Sequence, residues 1–105
     1  FTGLAAFSEL DLRFNQLSEF NSKLPPSLTI LYLDSNPIPY IEKSLLSNLT
    51  NLVTLGLSGL KLEKLDQNIF ENCHSLAELN LSSNKLKNLD KNLFQMKLTS
   101  CISLT

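Results

Sequence analysis

Few residues of this chain could carry chemistry. A single histidine, His74, follows Cys73, and the second cysteine is Cys101. A metal centre needs three or four ligands at compatible spacing, and no further ligand accompanies this pair, so no metal is expected. The three glycines form no phosphate-cradling loop, and no nucleophile stands with a base that would activate it. The expectation is a protein that is no enzyme and needs no cofactor. Modification and recognition remain. Two acceptor motifs for N-linked glycans occur, Asn48-Leu49-Thr50 and Asn80-Leu81-Ser82. Whether either is presented depends on the elements that hold it.

The totals allow one domain of 105 residues, 43% hydrophobic and dominated by leucine. The formal charge is −1, so no strong field draws the chain to nucleic acid or to an anionic membrane. No run of about 18 apolar residues exists to insert into a bilayer. The chain begins abruptly at Phe1, without an initiator Met or a signal peptide, which points to a processed leader or to a piece of something longer. Acids fall in both halves alike, Glu9, Asp11, Glu19, Asp34 and Glu42 in the first, whereas lysines lean toward the second (Lys61, Lys64, Lys85, Lys87, Lys91, Lys97).

An internal repeat organises the chain. "FSELDLRFNQL" fills 7–17, "LTILYLDSNPI" 28–38, "LVTLGLSGLKL" 52–62 and "LAELNLSSNKL" 76–86. The second leucine slot falls at Leu10, Leu31, Leu55, Leu79 and Ile102, in steps of 21, 24, 24 and 23 residues. Side chains two apart on a strand share a face, so Leu10/Leu12, Leu31/Leu33, Leu55/Leu57 and Leu79/Leu81 turn inward. Neighbouring coils then stack through parallel strands about 4.8 Å apart. One coil cannot bury its leucines alone, whereas the stack can.

This pattern, L-x-x-L-x-L-x-x-N-x-L over essentially the whole chain, resembles that of leucine-rich repeat proteins. The resemblance implies an α/β fold, a curved leucine-rich repeat solenoid. A parallel β-sheet lines its concave face, and irregular or short helical segments its convex face. Strands are expected near 8–14, 29–35, 53–59 and 77–83, with partial repeats at both ends of 1–105 and a longer parent array. In such repeats the asparagine slot, here Asn15, Asn36 and Asn84, caps backbone groups of the turn. The third copy has Leu60 in that slot, and a local irregularity is expected after Leu57.

The back of each coil has its own spacing, Leu46-Leu49-Leu52 and Phe70-Cys73-Leu76, with Phe1-Leu4-Phe7 before them and Phe94 after. Cys73 occupies an inward slot and is expected as a buried thiol; a bridge to Cys101 would join different positions of adjacent coils and is not expected. The link through Pro25 and Pro26 should be extended. The longer links, "LEKLDQNIFENCHSL" above all, are expected to carry short helical turns. Neither end has a cysteine-rich cap, so self-association through uncapped ends is expected.

The residues between the inward leucines face outward. The central column reads Asp11, Tyr32, Gly56, Asn80, Ser103; one flank reads Glu9, Ile30, Thr54, Glu78, Cys101, and the other Arg13, Asp34, Ser58, Ser82, Thr105. Tyr and Arg are enriched at interface hot spots, so Glu9, Asp11, Arg13, Ile30, Tyr32 and Asp34 form the expected contact patch, with Glu78 and Asn80 beside it. The bland alternative is a solvated open sheet. Asn48 lies on the back and is expected to carry a glycan if the chain is secreted. A glycan on Asn80 would obstruct the concave sheet.

"FTGL", "NLTNLVTLGLSG" and "IFENCHSLAELNLSSNKL" are similar to Toll-like receptor ectodomains and to other secreted immune repeat proteins. That resemblance implies an extracellular recognition module, secreted or on a cell surface, for protein or microbial ligands in innate immunity. Three alternatives stand beside it. One is a structural or matrix role of the small leucine-rich proteoglycan kind, which the 21-residue step and the Pro25-Pro26 link also fit. The second is an intracellular repeat scaffold, which predicts an unmodified Asn48. The third is a set of repeats that regulates a catalytic domain elsewhere.

Overall fold

The computed structural model describes residues 7–87. Four short strands, β1 (Glu9–Asp11), β2 (Ile30–Tyr32), β3 (Thr54–Gly56) and β4 (Glu78–Asn80), form one parallel sheet in the order β1-β2-β3-β4. A four-residue helix, α1 (Lys43–Leu46), lies between β2 and β3. The register pairs Leu10 with Leu31, Leu31 with Leu55 and Leu55 with Leu79. These are the leucine slots of the repeat. The columns at Cys101, Ile102, Ser103 and Thr105, and the back positions Phe1, Leu4 and Phe94, lie outside the described residues.

Each seven-residue span expected from the pattern contains a strand of three residues. Backbone pairing nevertheless runs past each strand: Leu33 N donates to Gly56 O at 2.9 Å and Ser35 N to Ser58 O at 2.9 Å. The chain then turns through a left-handed residue in every coil, Phe14 (φ 60°), Ser35 (62°), Gly59 (66°) and Ser83 (59°). That turn ends the strand and brings the next residue, the asparagine slot, beneath the coil.

Inside, Leu31, Leu33, Leu55, Leu57, Leu79 and Leu81 are buried, with Ile38, Leu62 and the back residues Leu46, Leu49, Leu52, Phe70, Cys73 and Leu76. Leu10, Leu12, Leu17 and Leu86 are only partly buried against this core. Among the described residues β1 is an edge strand with a neighbour on one side alone, so its leucines are covered from one side.

The asparagines tie coils together. Asn36, 1% exposed, donates to Leu33 O of its own coil at 2.8 Å and to Leu12 O of the preceding coil at 3.0 Å. Its Oδ1 accepts from Leu17 N at 3.2 Å. Asn84 repeats this with Leu81 O, Leu57 O and Leu62 N. Among the described residues Asn15, which is exposed, bonds only within its own turn, to Leu12 O and Arg13 O.

The irregularity expected after Leu57 is absent. Gly59 N donates to Ser82 O at 3.0 Å and Lys61 N to Ile38 O at 3.0 Å, in step with the neighbouring coils. The groups that an asparagine at 60 would serve find other partners. Leu33 O takes Asn36, Leu57 O takes Asn84, and Ile38 N closes a tight turn over Pro37 onto Asn36 O at 2.9 Å. Leu60 is then free to join the core.

The longer links carry the short helical turns expected of them, and the one that closes into a helix is not the link singled out. α1 is in the link after Pro39, where Leu45 and Leu46 are buried. Its first N–H, on Lys43, is capped by Asp66 Oδ2 of the next coil at 3.1 Å, while Glu42 makes no side-chain cap bond. The segment 62–76 forms separate i→i−3 turns instead, Ile69 N to Asp66 O and Glu71 N to Asn68 O among them. Asn68 has φ 57°, a left-handed step that stops those turns from fusing into a helix. The Pro25-Pro26 link is extended and ends in one turn, Leu28 N to Pro25 O at 3.1 Å.

Candidate interaction surface

The outward face of the sheet holds the residues named from the strand alternation. Arg13 is the most constrained of them. Its Nε and Nη2 donate to the two carboxylate oxygens of Asp11 at 2.9 and 2.7 Å, and its own N–H adds a bond to Oδ1 at 3.1 Å. The guanidinium lies 4.4 Å above the centre of the Tyr32 ring. Side-chain hydrogen bonds from Arg13 hold the Asp11 carboxyl below its usual range, and the bond to Asp11 raises Arg13 in turn. A pair this exposed adds little stability, but the two-point bond and the ring beneath fix the cation in one direction.

Asp34 lies one coil on from Arg13. Its Oδ2 accepts from Ser58 N at 3.1 Å and from Ser58 Oγ at 2.9 Å. Its Oδ1 is buried and receives no hydrogen bond among the described residues. The carboxylate leans over Gly56 so closely that a β-carbon there would collide with it, with Asp34 Cγ only 2.9 Å away. Glycine at 56 is therefore what lets Asp34 reach Ser58.

In the last described coil Asn80 Oδ1 accepts from Ser82 N at 3.0 Å and Ser82 Oγ at 2.8 Å, a local turn that resembles the Asp11–Arg13 arrangement. The side chains of Glu78 and Glu9 are exposed and carry no hydrogen bond or ion pair among the described residues.

Arg13, Tyr32, Asp34, Glu78 and Asn80 line one open trough of about 460 Å³ floored by Gly56. Glu9, Asp11 and Ile30 lie outside its lining. Ser58, from the same outward flank as Asp34, is the hydrogen-bond partner of Asp34, and Phe14, which stood in none of the outward columns, is 79% exposed at the trough margin. The signal for Phe14 was in the sequence. The position before the asparagine slot reads Phe, Ser, Gly, Ser through the four coils, and one residue is bulky where the others are small.

On the opposite side Asn48 is exposed and borders a second hollow of about 240 Å³ with Lys23, Glu42 and Ser44. At the coil edge Tyr40 Oη donates to Asp66, 2.7–2.8 Å from its two oxygens, and Lys43 pairs with Glu71 at 2.6 Å. Neither contact was visible in the sequence, because each joins residues more than twenty apart. Cys73 is a buried thiol, its Sγ 3.7 Å from Leu46 O. Among the described residues no three His, Cys, Asp or Glu side chains group as metal ligands. No described helix is long and apolar enough to cross a membrane.

Stacked parallel strands, inward leucines and asparagine-capped turns define a solenoid of repeats. The leucine-rich repeat family profile matches residues 26–86 and 50–99, and the chain belongs to that family. Its relatives include lumican from Oryctolagus cuniculus, 45% identical over 58 residues, which are 55% of this chain and 30% of that protein. Decorin from the same organism is 41% identical over 58 residues, 55% of this chain and 16% of that protein. Human decorin is 35% identical over 66 residues, 63% of this chain and 18% of that protein. The chain thus spans less than a third of the length of these relatives. They correct the subfamily named above: the similarity found is to lumican and decorin, and not specifically to Toll-like receptors.

Proposed function

We propose that this chain is a protein-recognition segment of an extracellular, matrix-type leucine-rich repeat protein, and that it binds its partner on the concave face. Two things support the reading. Lumican and decorin belong to the matrix class that stood above as an alternative, and they displace the innate-immune reading from first place. The observation that carries the location is Arg13, held between the Asp11 carboxylate and the Tyr32 ring at the wall of the trough. A long cationic side chain that is already immobile loses little freedom on binding, which is what a hot spot requires. Asn48 on the convex face is the proposed glycan site, clear of the contact surface.

The test is binding of the chain to immobilised fibrillar collagen and, in parallel, to microbial cell-wall preparations. Collagen binding that Tyr32→Ala weakens by about 1–3 kcal/mol supports the matrix reading on this face. Binding to the microbial surface alone would return the protein to the immune class. Collagen binding untouched at Tyr32 would move the contact off the concave sheet.

A further inference from the structure

We propose that Asn21 is a site of spontaneous covalent modification, at which the main-chain nitrogen of Ser22 closes on the Asn21 side chain and the amide is exchanged for a carboxylate. The proposal stands independently of the recognition reading above.

The reaction has strict local requirements. The deprotonated main-chain nitrogen of Ser22 attacks Asn21 Cγ, the Cγ–Nδ2 bond breaks, and ammonia leaves with the proton. The product is a cyclic imide. Water then opens the ring at either carbonyl, giving aspartate or its iso form, in which the main chain runs through Cβ. Water is the sole co-reactant, and nothing is oxidised. The step needs a side-chain amide that is not held, a following N–H that is not bonded, a small residue after the asparagine, and access for water.

Asn21 meets all of these. It is exposed, in a link that is neither helix nor strand. Neither its side chain nor the Ser22 N–H has a hydrogen bond among the described residues. Asn21 is the one asparagine of the chain followed by serine or glycine. Both Asn21 and Ser22 line the open hollow of about 240 Å³ on the convex side, where water reaches them.

Elsewhere the fold withholds at least one requirement. The side-chain amides of Asn15, Asn36, Asn51, Asn72, Asn80 and Asn84 are hydrogen-bonded. Asn36 is also followed by Pro37, which has no N–H. The side chain of Asn48 makes no hydrogen bond among the described residues, but the N–H after it, on Leu49, donates to Leu46 O at 3.1 Å. After Asn68, Ile69 N donates to Asp66 O at 3.2 Å. Those bonds must open before an imide forms, whereas at Asn21 a rotation of the exposed link suffices.

The product changes the link. It places a new carboxylate in a hollow that already holds Glu42. In the iso form the main chain gains a methylene between Phe20 and Leu24, which are both buried. The link then no longer fits its two anchors, and the junction between the first two described coils loosens.

The experiment is incubation of the whole unglycosylated chain in mildly alkaline buffer, followed by peptide mapping with mass spectrometry and fragmentation to place each change. Asn21 is expected to react at least about fivefold faster than any other described asparagine, the difference that one hydrogen bond makes. Aspartate and isoaspartate should appear together, and the rate should rise with pH, because the attacking nitrogen must first lose its proton. Ser22→Val, whose branched side chain shields the N–H, should slow the reaction, and Asn48→Gln should leave it unchanged. Another described asparagine reacting first, aspartate without the iso form, or an unchanged rate in Ser22→Val would each overturn the proposal. So would an Asn21 that is inert in the folded chain and reactive in urea, because the link would then be held closed. The separated iso form is expected to unfold at a lower urea midpoint than the fresh chain, and an equal midpoint would overturn the loosening of the link.

Discussion

Phe14 shares its left-handed backbone with Ser35, Gly59 and Ser83, yet it alone is a bulky side chain in that position. For an L-residue this conformation costs roughly 1–2 kcal/mol, and glycine avoids the cost. Phe14→Gly is therefore expected to stabilise the chain by about 0.5–1 kcal/mol in a urea titration. Unchanged or lower stability would show that the exposed ring makes a compensating contact. Asp34 is a different kind of residue-scale feature. Its place in the outward flank was readable from strand alternation, but its bonds to Ser58, 24 residues away, were not. Nor was the reason for Gly56, because a glycine in a strand column gives no sign of which neighbour needs the space. Cys73 was readable, since it fills an inward slot of the back pattern. Burial raises its thiol pKa from 9.0 to about 11. The folded state thus keeps a proton that the unfolded chain has lost, so this residue makes stability fall as pH climbs from about 9 to about 11. Cys73→Ala should remove that part of the slope in paired unfolding titrations, and identical slopes would place the thiol in contact with water.

At the scale of the coil, the asparagine slot was predicted to cap backbone groups, and Asn36 does so across two coils at once. Asn36→Ala would orphan Leu33 O, Leu12 O and Leu17 N, and a loss of about 2–4 kcal/mol is expected in chemical denaturation. Leu60→Asn, which restores the repeat consensus, is expected to destabilise by about 1–3 kcal/mol, because the amide would be buried among groups already paired. A consensus gain at 60 would mean that Asn36 and Asn84 leave those groups unserved. Sequence reasoning failed at Leu60 for a definite cause. It counted partners within one coil, whereas the partners come from the coils before and after. The same cause hid which of the longer links would close into a helix. Asp66, which caps Lys43, belongs to the next coil, and the left-handed backbone of Asn68 divides the segment that had looked more helical.

For the whole molecule, the core is a stack of equivalent leucines, and its cohesion runs through coil-to-coil contact. Leu79, 2% exposed, packs beneath β4, and Leu79→Ala is expected to cost about 2–5 kcal/mol, measured as a shift in denaturation midpoint. A loss below about 1 kcal/mol would mean that this coil tolerates the cavity by closing on it. The solenoid, the strand register, the inward leucines and the outward columns were all determined by the sequence alone. They follow from two periods, two residues along a strand and 21 to 24 between coils, and each is a local or repeating property. Tertiary structure decided the rest: that Asp34 bends over Gly56 to Ser58, that Arg13 rests on Tyr32, that Asp66 caps the helix, and that five of the eight expected surface residues share one trough. A repeat pattern states which residues are equivalent between coils. The site is built from the differences between those equivalent residues, and they meet only when the coils stack.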